Sequence, residues 1–100
     1  FYRKEERVGA KIIAVVVRDR QAEAFRMSVG LTVLDDPIDV FITQPVKNDD
    51  ETVVQLEGMK EMAELGVIKV FTMRQGTDFQ YITMEDMARK LLEYDNILPY

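Results

Sequence analysis

Short apolar runs alternate with longer segments of mixed polarity along this chain. The runs that predict strands are 12–17, 38–43, 67–73, 79–82 and 96–100. The first three are rich in β-branched residues, which is typical of strands buried on both faces in parallel sheets. Because Pro99 cannot donate a sheet hydrogen bond, we expect the fifth strand to lie at an edge of the sheet.

Three segments between the predicted strands have the apolar spacing of amphipathic helices. The first runs from a candidate N-cap at Asp19 to about Leu34. The side chains expected to face the sheet are Ala22, Phe25, Val29 and Thr32. Beyond Arg26 the polar face fades, because Met27, Gly30 and Val33 occupy positions where solvent-facing residues are due. This pattern indicates an interface, and the alternative is a contact with the protein's own loops.

The other two predicted helices have clear start and stop signals. The second begins with acids at 49–51, which suit the helix dipole, and runs to Leu65, with Gly66 as its C-terminal stop. The third begins at Thr83, with Asp86 placed for a capping box. The side chains expected to be buried in these two helices are Val53 or Val54, Leu56, Met59, Met62, Leu65, Met84, Met87, Ala88, Leu91 and Leu92.

The order of these elements, β-α-β-α-β-β-α-β, predicts an α/β fold. We expect a three-layer α/β/α sandwich around a mostly parallel five-stranded sheet. Residues 1–100 read as one domain, in which 1–10 are irregular. The chain does not begin with Met, and the sequence leaves open whether its N-terminus is complete. Without a signal-peptide core or an apolar run of ~20 residues, the expected location is cytoplasmic, away from membranes.

The composition removes several kinds of chemistry. The chain contains no cysteine and no histidine, which excludes thiol nucleophiles, persulfide carriers, disulfides and Cys/His metal sites. Asp35, Asp36 and Asp39 could be imagined as a metal site, but Asp-Asp-Pro is more simply a turn. No metal, cofactor or catalytic residue is therefore expected, and the sequence favours a non-enzymatic role without deciding it. The net charge of −5 argues against nucleic-acid and anionic-membrane partners.

Three stretches of the sequence share hydrophobic patterns and a few characteristic residues with a known family. They are 24–36 with 40–43, then 65–71, and finally 84–98. Covering most of residues 11–100, they resemble the first helix and second strand, the helix-to-third-strand junction, and the final helix and strand of DsrE/DsrF-like proteins. These are small sulfur-relay proteins that include the Tus tRNA-thiolation subunits. The resemblance implies a homo-oligomer, with a trimer or hexamer favoured, or assembly with related subunits.

One departure from that family bears on function. In its sulfur-carrying members a cysteine follows the third strand, whereas Met73 lies nearest that place here. A thioether has no ionisable S–H and cannot hold a transferable persulfide, so carrier activity does not follow from the resemblance.

The loops after the strands hold a second candidate site. Ligands of parallel sheets bind beyond the carboxyl ends of the strands, where the candidate ligand-binding residues are Arg18, Arg20, Gln44, Lys47 and Arg74. Four of these are cations and could bind a small anion with help from helix N-termini. The alternative is that the loop charges pair with Asp19, Asp49 and Asp78.

Two hypotheses of different classes follow from the sequence. The first is a non-catalytic DsrE/F-like interaction or scaffold subunit that assembles with itself. Its candidate interface residues are Met27, Gly30, Val33, Leu98 and Tyr100. The second is a protein that binds a small anionic ligand through the loops after the strands.

Overall fold

A computed structural model describes residues 12–34 and 37–100; the predicted irregular segment 1–10 and the turn at 35–36 lie outside that part. The strands are β1 (Ile13–Val17), β2 (Ile38–Ile42), β3 (Ile68–Thr72), β4 (Gln80–Tyr81) and β5 (Asn96–Pro99). The helices are α1 (Gln21–Leu31), α2 (Asp50–Glu64) and α3 (Met84–Leu91), and a 3-10 turn, Thr32–Leu34, extends α1.

The five strands form one sheet in the order β4-β3-β2-β1-β5, and every neighbouring pair is parallel. The chain moves from β1 to β3 in one direction and then returns through α3 to β5. Because crossover connections between parallel strands are right-handed, this reversal places α3 on the opposite face from α1 and α2. The predicted three-layer α/β/α sandwich is therefore confirmed, and its sheet is wholly parallel.

The larger core lies between the sheet and the pair α1 and α2. Alternate residues of the three central strands point into it, among them Val15, Val40 and Val70. Phe25 of α1 and Met59 of α2 meet them and are fully buried. The predicted helix-to-strand junction is also confirmed, since Gly66 ends α2 with a φ of 78°.

The smaller core lies under α3 and is built from aromatic side chains. Phe41 and Phe71 stack with ring centroids 5.1 Å apart, and Tyr94 meets Phe41 edge-on at 5.8 Å. The Tyr94 hydroxyl donates a hydrogen bond to the carboxylate of Asp39 on the central strand. Burial, with the Asp39 carboxylate beside it, raises the pKa of Tyr94 far above 10.0, so the phenol stays protonated.

The start and the buried stripe of α1 differ from the prediction. Arg20, not Asp19, is the N-cap, and the α-helix ends at Leu31 before the 3-10 turn. Gln21 and Ser28 are buried beside Ala24 and Phe25, whereas Ala22 and Thr32 are only half-buried. Polar residues can occupy this stripe because their side chains are hydrogen-bonded; the Ser28 hydroxyl, for example, donates to the Ala24 carbonyl at 2.7 Å.

The predicted buried stripes of α2 and α3 are correct only in part. Met59 and Met87 are buried, and Leu56, Met62 and Leu91 pack at the margins of the cores. The predicted core residues that are instead exposed are Val53, Val54, Leu65, Met84, Ala88 and Leu92. On α2 the buried residues are Met59 and Thr52, whose hydroxyl is hydrogen-bonded to Asp49, and on α3 Met87 alone is buried.

The end of the chain follows the prediction more closely. Among the described strands β5 pairs with β1 alone, so Pro99 lies on an edge strand of this sheet as expected. The Thr83 hydroxyl accepts the backbone N–H of Asp86 at 3.1 Å and caps α3. The Asp86 carboxylate pairs with Arg89 at 2.7 Å, on the exposed side of the helix.

The Tyr94–Asp39 hydrogen bond predicts a measurable loss of stability when it is removed. Replacing Tyr94 with Phe keeps the ring in the aromatic core but leaves the half-buried carboxylate of Asp39 without its donor. We expect the free energy of unfolding to fall by about 1–3 kcal/mol in urea titrations. Tyr81→Phe, at an exposed position, is the control and should change it by less than about 0.5 kcal/mol. Equal losses in the two variants would contradict this role for the bond.

Candidate functional site

All loops that follow the strands lie at one edge of the molecule, because the strands are parallel. The three helices begin at this same edge, which we call the carboxyl edge. It is formed by the β1–α1 loop at 18–20, the β2–α2 loop at 43–49, the β3–β4 loop at 73–79, and residues 82–83 before α3. Every residue of the predicted anion pocket lies in these loops.

Gln21 fixes two of the loops to each other. Its side chain is 2% exposed, and its amide nitrogen donates to the carbonyl oxygens of Arg18 at 3.2 Å and Pro45 at 2.9 Å. Its amide oxygen accepts the backbone N–H of Lys47 at 2.8 Å. A buried amide with both ends satisfied holds the β1–α1 and β2–α2 loops in one arrangement. The sequence does not reveal this residue, because a lone glutamine near a helix start is not a distinctive signal.

Lys47 and Arg20 already have partners within the protein. The Lys47 ammonium donates to the carbonyl oxygen of Asp19 at 2.6 Å, so it fastens the two loops together. Arg20 pairs with Glu23 at 3.5 Å and lies over the ring of Tyr100 at 5.2 Å. The ion pair is well exposed, and pairs of this kind contribute little to stability.

Arg18, Gln44 and Arg74 are the more available members of the predicted pocket. All three are exposed, and within residues 12–34 and 37–100 neither arginine forms an ion pair. Arg18 lies in the loop that Lys47 and Gln21 hold, whereas Arg74 lies after β3, where its backbone N–H donates to Thr72 Oγ1 at 3.2 Å. The structure thus joins the loops that carry Arg18, Arg20 and Lys47, whereas no hydrogen bond or ion pair among the described residues links Arg74 to them.

The three acids that were expected to neutralise these loops differ in what they contact. Asp49 caps α2, with its carboxylate accepting the backbone N–H of Thr52 at 3.0 Å and the Thr52 hydroxyl at 2.9 Å. Asp78 lies 3.8 Å from Lys60 of α2. Asp19 contributes its backbone carbonyl to Lys47. The positive charge of Lys47 also helps to lower the pKa of the Asp49 carboxyl, so the pairing alternative holds in part at this edge.

The helix starts at the carboxyl edge differ in their capping. Asp49 and Thr83 cap α2 and α3 with side-chain oxygens. The N-cap of α1 is Arg20, whose side chain accepts no hydrogen bond from the helix. The first turn of α1 is consequently the one among these described helices that presents N–H groups without a side-chain cap.

The candidate interface residues fall into two groups. Met27 is 44% and Val33 80% exposed, and Gly30 is exposed between them. Leu98 and Tyr100 instead pack against the larger core and are half-buried. The second group therefore serves the protomer's own packing, and the first group remains on the surface.

The carboxylates considered as a metal site are not gathered into one. Asp39 is bonded to Tyr94, and Asp35 and Asp36 lie outside the described residues. Across the described part of the chain, His, Cys, Asp and Glu form no group of three or more that could hold a metal ion.

Comparisons with known proteins leave the family open. No family model, no curated protein and no solved structure matches this chain. Among the described helices, none has both the length and the apolar character needed to cross a membrane.

The cap at Asp49 predicts a specific acid sensitivity. Hydrogen bonds from the Thr52 backbone and hydroxyl lower the pKa of Asp49 below 3.8. Because the pKa of Asp49 is lower in the folded protein than in the unfolded chain, the ionised carboxylate stabilises the fold above pH 3.8. That stabilisation is lost as the pH falls through the pKa of Asp49 in the folded protein. In thermal melts we expect Asp49→Ala to have a lower melting temperature than the wild type at neutral pH. The difference between the two melting temperatures should narrow well below pH 3.8.

Asp78→Ala is the matched control for this acid sensitivity, because Asp78 is an exposed acid that caps no helix. It should remain close to the wild type across the same pH range. An Asp49→Ala gap that stays constant on acidification would contradict the cap assignment.

Proposed function

We propose that this chain is a non-catalytic subunit that assembles with itself, related to the DsrE/DsrF-like sulfur-relay proteins but unable to carry a persulfide. The observation that carries the proposal is the exposed apolar surface on α1 and the 3-10 turn that extends it, where Met27 is 44% and Val33 80% exposed in the protomer. Large apolar side chains grouped on one surface favour a protein partner. A cytoplasmic protein without nucleic-acid or membrane partners fits the net charge of −5.

The end of β3 supports the non-carrier part of this proposal. The family resemblance puts a sulfur-carrying cysteine just beyond this strand. Here Thr72 is buried, and Met73 packs against the smaller core instead of standing open to solvent. The position therefore presents neither a thiol nor a free side chain to a sulfur donor.

The positions of the exposed apolar residues favour self-association over a monomer. Leu98 and Tyr100 complete the larger core, so the edge strand β5 needs no partner to bury them. Near the end of α1, Met27 and Val33 instead remain 44% and 80% exposed in the protomer. Interfaces of permanent homo-oligomers are apolar, and a closed symmetric assembly would cover these side chains in every copy.

Assembly through α1 predicts opposite outcomes for two charge substitutions. Met27→Glu places a carboxylate in the apolar contact, where burying an unpaired charge is costly. We expect light scattering to show a wild-type mass that is a multiple of 11.6 kDa and a Met27→Glu mass near 11.6 kDa. Lys60→Glu on α2 is the control and should leave the assembly intact. A wild-type mass of 11.6 kDa across micromolar concentrations would rule out the proposal.

A second candidate function is the binding of a small anion at the carboxyl edge. It is favoured by Arg18 and Arg74, which form no ion pair in the described part of the chain, and by the uncapped first turn of α1. Guanidinium groups and open backbone N–H groups are the usual donors to phosphate or sulfate. Lys47 and Arg20 would contribute mainly positive electrostatic potential to this site, because their side chains already have partners.

Calorimetry with inorganic phosphate tests this second candidate. If Arg74 converges on a site with Arg18, Arg74→Ala should weaken phosphate binding by about tenfold or more, since a charge-assisted hydrogen bond is lost. Arg89→Ala is the matched control, because Arg89 is an exposed arginine on α3. Equal binding by both variants, or no binding by the wild type, would leave these arginines as surface charges.

A further inference from the structure

The edge of the sheet that β5 forms is open to solvent. β5 pairs with β1 on one side, and among the described residues no strand lies on its other side. Three of its four residues, Asn96, Ile97 and Pro99, are exposed. An open edge strand presents unpaired backbone N–H and C=O groups, and another strand can use these groups to extend the sheet.

The hydrogen bonds to β1 show which backbone groups of β5 point away from the sheet. The backbone N–H of Asn96 donates to the carbonyl oxygen of Ile12 at 3.4 Å. The backbone N–H of Tyr100 donates to that of Val16 at 2.8 Å. Because backbone groups alternate in direction along a strand, the residues at 97 and 99 direct theirs away from β1. Pro99 therefore occupies an outward position of the edge strand.

At this outward position Pro99 removes a donor from the free edge without removing one from the sheet. Proline has no backbone N–H, so a proline that faced β1 would have cost the sheet a hydrogen bond. Pairing with β1 instead continues past Pro99 to Tyr100. Within 96–100 the outer edge keeps one outward donor, the backbone N–H of Ile97.

The missing donor matters most for pairing between two copies of β5. Two such edges can meet as an antiparallel pair about a two-fold axis beside Leu98, with Ile97 of each copy opposite residue 99 of the other. Each opposed pair would exchange two backbone hydrogen bonds. Proline at 99 removes one bond from each pair, and its ring lies where the N–H would have met the carbonyl oxygen of the second copy. The pairing therefore loses half of its backbone hydrogen bonds.

The other common protections of an edge strand are missing from β5. Its sequence, Asn96–Pro99, contains no charged side chain. Its register with β1 runs without interruption from Ile13 to Val16, so it contains no bulge. The opposite edge is protected differently, because β4 has two residues and is too short for a ladder.

We infer that Pro99 closes the β5 edge to the addition of another strand and so keeps copies of this chain from joining sheet to sheet. Its absent N–H does this at no cost to the pairing with β1. The inference does not depend on the proposed assembly through α1, since it concerns a different surface of the protomer.

Pro99→Val tests the inference, because valine is apolar, similar in size to proline and supplies the missing N–H. Relative to the wild type at the same concentration, the mass from light scattering should rise with protein concentration toward about twofold or more, since edge pairing doubles whatever particle the wild type forms. Hydrogen exchange should show the backbone amides of residues 97 and 99 protected in this variant, whereas the Ile97 amide of the wild type should exchange freely.

Two further variants separate edge pairing from a general loss of stability. Pro45→Val is the matched control, because Pro45 is exposed in the β2–α2 loop and belongs to no strand; it should keep the wild-type mass. Ile97→Lys combined with Pro99→Val keeps the new N–H but adds a charge to the edge, at a side chain that is 45% exposed. This double variant should return to the wild-type mass, with the amide of residue 99 unprotected.

Four results would overturn the inference. They are a Pro99→Val mass equal to that of the wild type, an equal rise in Pro45→Val, a rise that persists in the double variant, and a rise without protection of the amides at 97 and 99. The proposed α1 assembly fails by a different result, a wild-type mass of 11.6 kDa, which would leave the comparison of Pro99→Val with the wild type unaffected.

Discussion

The all-parallel sheet is the constraint on which the rest of this structure depends. β1, β2 and β3 are joined through crossover helices, and the return from β4 to β5 needs a third that passes over the opposite face. Two helices therefore cover one face and a single eight-residue helix covers the other. The same constraint brings every loop after a strand to the carboxyl edge, where Gln21 and Lys47 lock two of them together.

This unequal cover explains how each side of the sheet is stabilised. Under α1 and α2 the core is aliphatic, with Phe25 and Met59 fully buried among valines and isoleucines. Under α3 there are fewer helical side chains, and stacked aromatic rings with the Tyr94–Asp39 hydrogen bond fill that space. Both cores are thereby filled, and Met27 is left exposed on the solvent side of α1. The proposed assembly accounts for that surface without asking any residue to perform chemistry.

The sequence predicts the strands and the layers well, because an apolar run of five or six residues can be buried in few ways other than as a strand in the middle of a parallel sheet. It predicts poorly which side of each helix is buried. The buried stripe of α1 includes Gln21 and Ser28, whose burial depends on hydrogen bonds to particular carbonyl groups that no periodicity reveals. On α3 Met87 is buried, whereas Met84 at the start of the helix and Leu92 at its C-cap are exposed, and periodicity alone does not separate them. At the carboxyl edge, the sequence identifies the cations but not which of them, like Lys47, are already bonded within the protein.

Two exposed methionines allow the central claim, that the chain assembles through α1, to be tested within one sample. Met27 and Met84 are 44% and 62% exposed in the protomer, on different helices. Methyl NMR of methionine-labelled protein with a soluble paramagnetic agent reports the exposure of each. The account predicts that the Met27 methyl is shielded at high protein concentration and becomes exposed on dilution, while the Met84 methyl stays exposed throughout. Equal exposure of both methyl groups at every concentration, or shielding of Met84 instead, would contradict it.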